Sequence, residues 1–279
     1  MSIAQPQVVS SVPSFRARLF AHPVTRIIIG MCAVVLPIIL TLAVIDKLVP
    51  KELRFGWQFL LAGGLGIFSY RHFVRRTERR GLAELAPSGA VRETFTGVAL
   101  GVALGLAVAG VLAAAGAFAI SGSNDAAIML KTLPEQMMVA VFEELLFRAV
   151  LFRIVEQRWG TRVALVVSCV VFALAHVPND QASALGILIT GVASLTLCAA
   201  YLQTRRLWLP IGLHFGWNYL YDSLFAVPVS GHTARGWLQV TMTGPDWLTG
   251  GAYGVEASVI TLLLWGATAI LLLRRAVKR

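Results

Sequence analysis

The sequence predicts an all-α polytopic transmembrane helical bundle with about eight spanning helices. Three observations carry that expectation. Hydrophobic residues make up 57% of the 279-residue chain and charged residues 14%, against roughly 25% charged in soluble domains. The mean hydropathy of +0.74 leaves too little polar surface to cover a soluble fold. The apolar residues also come in blocks near the ~20 that a spanning helix needs, without the alternation of a membrane barrel. A cytosolic globular enzyme, a disordered chain and a nucleic-acid binder are therefore set aside, and membrane lipid is the expected surrounding.

The elements follow in order. Residues 1–26, with Pro6, Pro13 and Pro23, read as a cytoplasmic segment. The apolar run behind them is long enough to span and lacks a small-residue cleavage site, so a retained helix is expected rather than a cleaved signal. Spans are expected near 27–45, 54–70, 94–120, 134–157, 161–178, 184–203, 207–226 and 255–273. The organisation is then an N-terminal helical region (27–126), a core (127–226), and a long loop with a final helix (227–279). Strands are not expected.

Local chemistry suggests several ends. Thr132 suits a cap for the fourth helix, with Pro134 in its first turn, where a missing N–H costs nothing. Gly160 suits the end of that helix and Thr161 the cap of the next. Pro178, Asn179 and Asp180 form a turn cluster. The 227–254 stretch, rich in Gly and Pro, reads as one long loop. Gly97, Gly101 and Gly105 recur every four residues; this spacing permits close helix approach, although glycine is also common filler in membrane helices.

The formal charge is +10, and its placement gives an orientation. With the amino terminus inside, the inside segments hold 18 Lys and Arg, including Arg71, Arg75, Arg76, Arg79 and Arg80, and the outside segments 5. Cytoplasmic loops collect such residues, so a multi-pass protein of the cell (plasma) membrane with both termini cytoplasmic is expected. Cys32, Cys169 and Cys198 lie in apolar runs and act as small hydrophobes.

Ionisable residues inside the apolar runs gather in three places. The fourth span carries Glu143, Glu144 and Arg148, the fifth Phe172 and His176, the seventh His214 and Asn218, with Asp222 one turn on. A charge at mid-bilayer costs at least about 2.5–3.5 kcal/mol and persists where it finds partners in a protein interior or wet cavity. Glu144 and Arg148 are four apart and can pair. Glu143 lies about 100° around the helix, so one carboxylate can be pinned while the other faces a cavity. His214 and Asn218 share a face. His22, His72 and His232 lie at membrane edges or in loops without helical partners and are assigned outside the site.

This set suits hydrolysis. A carboxylate can take a proton from water while a histidine orients it, and a second histidine with an amide can donate to an oxyanion. Zinc is the alternative, since catalytic zinc uses three N/O ligands and an open position; no HExxH helix is present. The same residues also fit a non-proteolytic scaffold or a transporter relay through the Glu–Arg pair.

The three motifs, Glu143-Glu144-x-x-x-Arg148, Phe172-x-x-x-His176 and His214-x-x-x-Asn218, in that order on separate helices, resemble the CPBP intramembrane proteases. That family includes type II CAAX prenyl endopeptidases and bacteriocin-processing or immunity-linked proteins. The stretch Thr204-Arg205-Arg206-Leu207-Trp208-Leu209-Pro210-Ile211 is also similar, while Ala149 stands where many relatives have Gly. The resemblance covers about residues 130–225. It implies an endopeptidase acting on a membrane-associated polypeptide, with Glu143 activating water with His176, His214 and Asn218 stabilising the oxyanion, and Glu144 and Arg148 holding the architecture or assisting substrate binding. Under its metal reading, Glu143 or Glu144 with His176 and His214 would ligate zinc. The charge pattern places His176 near the outer end of its helix and His214 near the inner end of its own, so a helix must be tilted, broken or misbounded if both serve one site, with Pro210 the candidate place for a break.

Overall fold

The computed structural model describes residues 22–277; Arg16, Arg18, Lys278 and Arg279 of the charge count, and most of the 1–26 segment, lie outside that range. The helices are α1 (Pro23–Leu48), α2 (Trp57–Phe73), α3 (Ala90–Ala114), α4 (Ala127–Glu144), α5 (Arg153–Trp159), α6 (Thr161–Ala175), α7 (Ala184–Thr204), α8 (Trp208–Asn218) and α9 (Val259–Val277). A π-helical segment, Leu145–Phe152, joins α4 to α5 without a break, and another, Tyr219–Leu224, extends α8. Eight helical segments therefore stand where the apolar runs put them. By length and composition, α1, α3, α7 and α9 are able to cross a membrane; α6 is apolar but has only 15 residues.

Two apolar clusters flank the middle of the bundle. One holds Val34, Ile38, Tyr70, Phe73, Phe152 and Phe172 from α1, α2, the α4–α5 rod and α6. The other holds Leu112, Leu213, Trp217, Tyr221 and Trp265 from α3, α8 and α9. The glycine spacing on α3 produces a backbone contact with α8. A Cβ on Gly97 would lie 2.3 Å from the Leu209 carbonyl oxygen, and one on Gly101 2.3 Å from that of Leu213. Gly212 and Gly216 on α8 meet the carbonyls of Thr94 and Val98 in return. His214 sits between those two glycines, so its helix is located by a contact that only glycine permits.

The connections gather at two ends. At one, Glu78 pairs with Arg26, with Arg80 at 2.7 Å and with Arg153 at 2.9 Å, while Arg80 also binds Glu84 at 2.6 Å. The Leu207 N–H donates to the Glu84 carbonyl, and Arg206 pairs with Glu93. Burial opposes ionisation of Glu78 and Glu84, but the surrounding guanidiniums outweigh it and hold both carboxyls below the ordinary range. At the opposite end, the Asn179 side chain donates to the Ser230 carbonyl at 3.0 Å, and Gly56 abuts Pro134.

Several expectations are corrected. Strands do occur: β1 (Phe118–Ser123) pairs antiparallel with β2 (Leu238–Met242), with a register break between Ile120 and Gly122. The third helix ends at Ala114 rather than near 120, and Gly116, with φ +72°, turns the chain into β1. The supposed long loop is accordingly ordered, holding β2 and a helical turn at Asp246–Thr249. Its Leu-Gln-Val-Thr-Met run alternates in burial along β2, a period-2 signal that the glycines around it obscured. Thr132 is not a cap, because α4 begins at Ala127. Its hydroxyl donates to Ser223 Oγ at 2.7 Å and Pro134 lies inside the helix. Gly160, φ +83°, ends α5 and itself precedes α6, whose first residue is Thr161. Pro210 causes no break, since it stands in the first turn of α8, where its missing N–H leaves no bond unmade.

Candidate active site

Glu144, at the end of α4, is fully buried, as is Arg148 one turn on. Arg148 Nη1 donates to Glu144 Oε1 at 3.0 Å. Its Nη2 faces the carbonyl and the hydroxyl of Ser194 on α7, at 3.3 and 3.2 Å. The guanidinium also lies 4.8 Å from the centroid of the Phe172 ring, a cation–π contact. The ion pair thus reaches α6 and α7. It also reaches α8, because His214 Nδ1 is 3.0 Å from the same Glu144 oxygen. A carboxylate accepts, so Nδ1 carries the proton and Nε2 is left to face Glu143 Oε2 at 3.9 Å; this tautomer is assigned from its partner.

Glu143 points away from the ion pair, as the 100° offset required. Its Oε2 is buried yet has no hydrogen-bond partner within the protein, a condition that costs about 1–3 kcal/mol. His176 follows the last residue of α6, and its Nδ1 donates to the Phe172 carbonyl at 2.8 Å, leaving Nε2 free to accept. The Phe172 and His176 rings are 4.6 Å apart. Glu143, His176, His214, Asn218 and Asp222 all line one cavity of about 830 Å³, walled elsewhere by apolar residues such as Ile38, Met138, Phe142 and Phe147. The two histidines can line the same cavity because α6 is short. Its 15 residues rise about 22 Å, less than the ~30 Å of a bilayer core, so His176 need not lie at the surface.

Of the three π segments among the described residues, two begin directly after a motif residue, at Leu145 after Glu144 and at Tyr219 after Asn218, while the third, Val74–Glu78, follows α2 away from the site. A π turn takes one more residue than an α turn and changes which side chains share a face; such turns are frequent at functional sites.

Among the described residues, no three His, Cys, Asp or Glu side chains are placed to hold one metal ion. His214 Nδ1 is committed to Glu144, which is itself bound to Arg148. That bonding takes Glu144 and His214 Nδ1 out of a ligand set and leaves His214 Nε2, Glu143 and His176 facing the cavity; no step below is routed through zinc.

Two features were missed by the motif reading. Glu256 lines the cavity from beyond the motif region. It accepts from Trp217 Nε1 at 2.9 Å, and from the backbone N–H and hydroxyl of Ser230, both at 2.6 Å. It thereby ties α8, next to Asn218, to the loop above the cavity. A lone carboxylate in a glycine-rich stretch carries no spacing that would pair it with Trp217 or Ser230. His232, set aside as a loop residue, is also part of the cavity lining. His22 and His72 are not.

The long apolar helices and the buried ionisable cluster fit an integral membrane protein. Residues 125–220 match the family model described as type II CAAX prenyl endopeptidase Rce1-like, which supports CPBP family membership for that segment. All three motifs fall within it. No curated protein and no solved structure matches the chain.

Proposed function

We propose that this protein is an intramembrane endopeptidase that hydrolyses a peptide bond of a membrane-associated polypeptide. The observation that carries the proposal is the placement of Glu143 beside His214, with His176 and Asn218, in one largely apolar cavity. Glu143 Oε2, buried and unpartnered, is the group for a water proton, and His176 Nε2 accepts a second hydrogen bond from the same water. The water oxygen adds to the carbonyl carbon as its proton passes to Glu143. Asn218 Nδ2 donates to the oxyanion, and His214 Nε2 does so when doubly protonated. Collapse breaks the C–N bond, and Glu143 returns the proton to the leaving nitrogen. Glu144 and Arg148 act through His214, holding its ring against rotation. The family match supports the protease class.

The test is comparative proteomics of membranes bearing the wild type or Glu143→Ala. Cleaved fragments present only with the wild type are expected, and identical fragment sets would retire the proposal. With a substrate in hand, Glu143→Ala and His176→Ala should each lower turnover at least about 100-fold, the lower end of general acid–base effects, while eluting from a sizing column as the wild type does.

A further inference from the structure

Among the described residues, the polar rim of the cavity lies at one end of the bundle. It is formed by Glu135 in α4, Asn179 after α6, and Ser230, His232, Thr233 and Arg235 in the segment before β2. Asn179 and Ser230 are bonded to each other, and Arg235 pairs with Glu135 at 2.7 Å across the opening. A second, smaller hollow shares His232 and Thr233 and continues outward past Asp180 and Gln181. From Glu135 to Glu143 is eight residues, about 12 Å along the helix. On the far side of Glu143 the route is closed by the Glu144–Arg148–Ser194 contacts and by Phe147 against Phe172. Among the described residues, none that lines the cavity comes from 74–92, 153–160 or 204–207, the segments that form the arginine-rich end.

Those segments are the ones the charge distribution assigns to the cytoplasm. We infer that the polypeptide reaches Glu143 from the opposite, extracytoplasmic face, through the mouth framed by residues 176–182 and 229–235. The substrate class is then a membrane polypeptide whose scissile segment lies on the extracytoplasmic side, and not a cytoplasmic tail. The route stands on geometry and charge; that a substrate uses it rests on the proposed peptidase activity. The Arg235–Glu135 pair crosses the mouth and must part, or be passed, as a chain enters.

Single cysteines report the route without needing turnover. Thr233→Cys marks the mouth, Val139→Cys the cavity wall one turn before Glu143, and Arg76→Cys the arginine-rich end. The wild type, whose Cys32, Cys169 and Cys198 lie within helices, serves as the blank, and a sizing column checks each fold. Sealed right-side-out and inverted vesicles are treated with a membrane-impermeant maleimide. Thr233→Cys and Val139→Cys should label in right-side-out vesicles alone, and Arg76→Cys in inverted vesicles alone. Labelling of Val139→Cys from the inverted side, or from neither side, overturns the inference, as does labelling of Thr233→Cys from the inverted side. Unaltered membrane proteomes alongside outward labelling would instead sink the peptidase reading and leave the route standing.

Discussion

At the residue scale, the Glu144–Arg148 pair is the pivot. Its desolvation is compensated only while both partners remain, because each also makes contacts to a neighbouring helix. Removing Arg148 leaves Glu144 buried with only the His214 hydrogen bond, and breaking a buried pair costs about 3–5 kcal/mol. Arg148→Ala is therefore expected to melt well below the wild type in detergent, and a melting temperature equal to wild type would refute the pivot. Glu256 makes a different contribution. Its three hydrogen bonds hold Ser230 and Trp217, and bonds to a charged group contribute about 1.5–3 kcal/mol each net of exchange with water. Glu256→Ala should speed amide exchange across residues 229–232, read by hydrogen–deuterium exchange. Unchanged exchange there would show that the loop is held by other contacts. The pair was legible in the sequence because four-residue spacing on a helix is a geometric statement. Glu256 was not, because its partners lie 26 and 39 residues away and nothing local encodes such a contact.

At the element scale, the contact between α3 and α8 positions His214 and Asn218. The two backbones approach so closely that Gly101→Val would drive side-chain atoms into the Leu213 carbonyl, and overpacking of this kind typically costs 1–3 kcal/mol or more. Gly101→Val is expected to reduce folded yield and any cleavage activity together. Gly110→Ala, on the same helix with nothing within 4 Å of its added Cβ, should match the wild type. Equal yields of the two variants would show that the helix contact is not needed. The glycine spacing left two explanations open, packing and filler, since spacing names a face but not what it meets; the Leu209 and Leu213 carbonyls decide it. The π segments were beyond reach of the sequence, because an apolar run such as 145–152 reads the same whether its turns hold 3.6 residues or more.

At the scale of the whole molecule, the arginine-rich end ties the entry of α1, the exit of α2 and the α4–α5 rod through Glu78, and reaches α8 through Glu84. Both carboxyls have folded pKa values depressed below the ordinary 4.5. The sign of the linkage follows: their contribution to stability is complete above 4.5 and is lost as pH falls through the lower folded values. The melting midpoint in detergent should decline as the medium is acidified below 4.5, and less steeply in Glu78→Gln. A parallel decline in both proteins would remove Glu78 from the account. Water and salt reach part of this network, so it is expected to weaken as ionic strength rises.

What the sequence determined by itself was whatever depends on composition and short spacing: the apolar bundle, the positions of eight helical segments, the Glu144–Arg148 pairing and the asymmetry of charge. Those properties are local or additive, so they can be read along the chain. The tertiary structure alone decided that His176 and His214 line one cavity without a break at Pro210, that Phe118–Ser123 and Leu238–Met242 close as a strand pair, and that Glu256 and His232 join the lining. Each depends on where a helix ends in space relative to one from a distant part of the chain. Such distances are set by packing, here by glycine contacts and a short α6, rather than by any pattern a single segment displays.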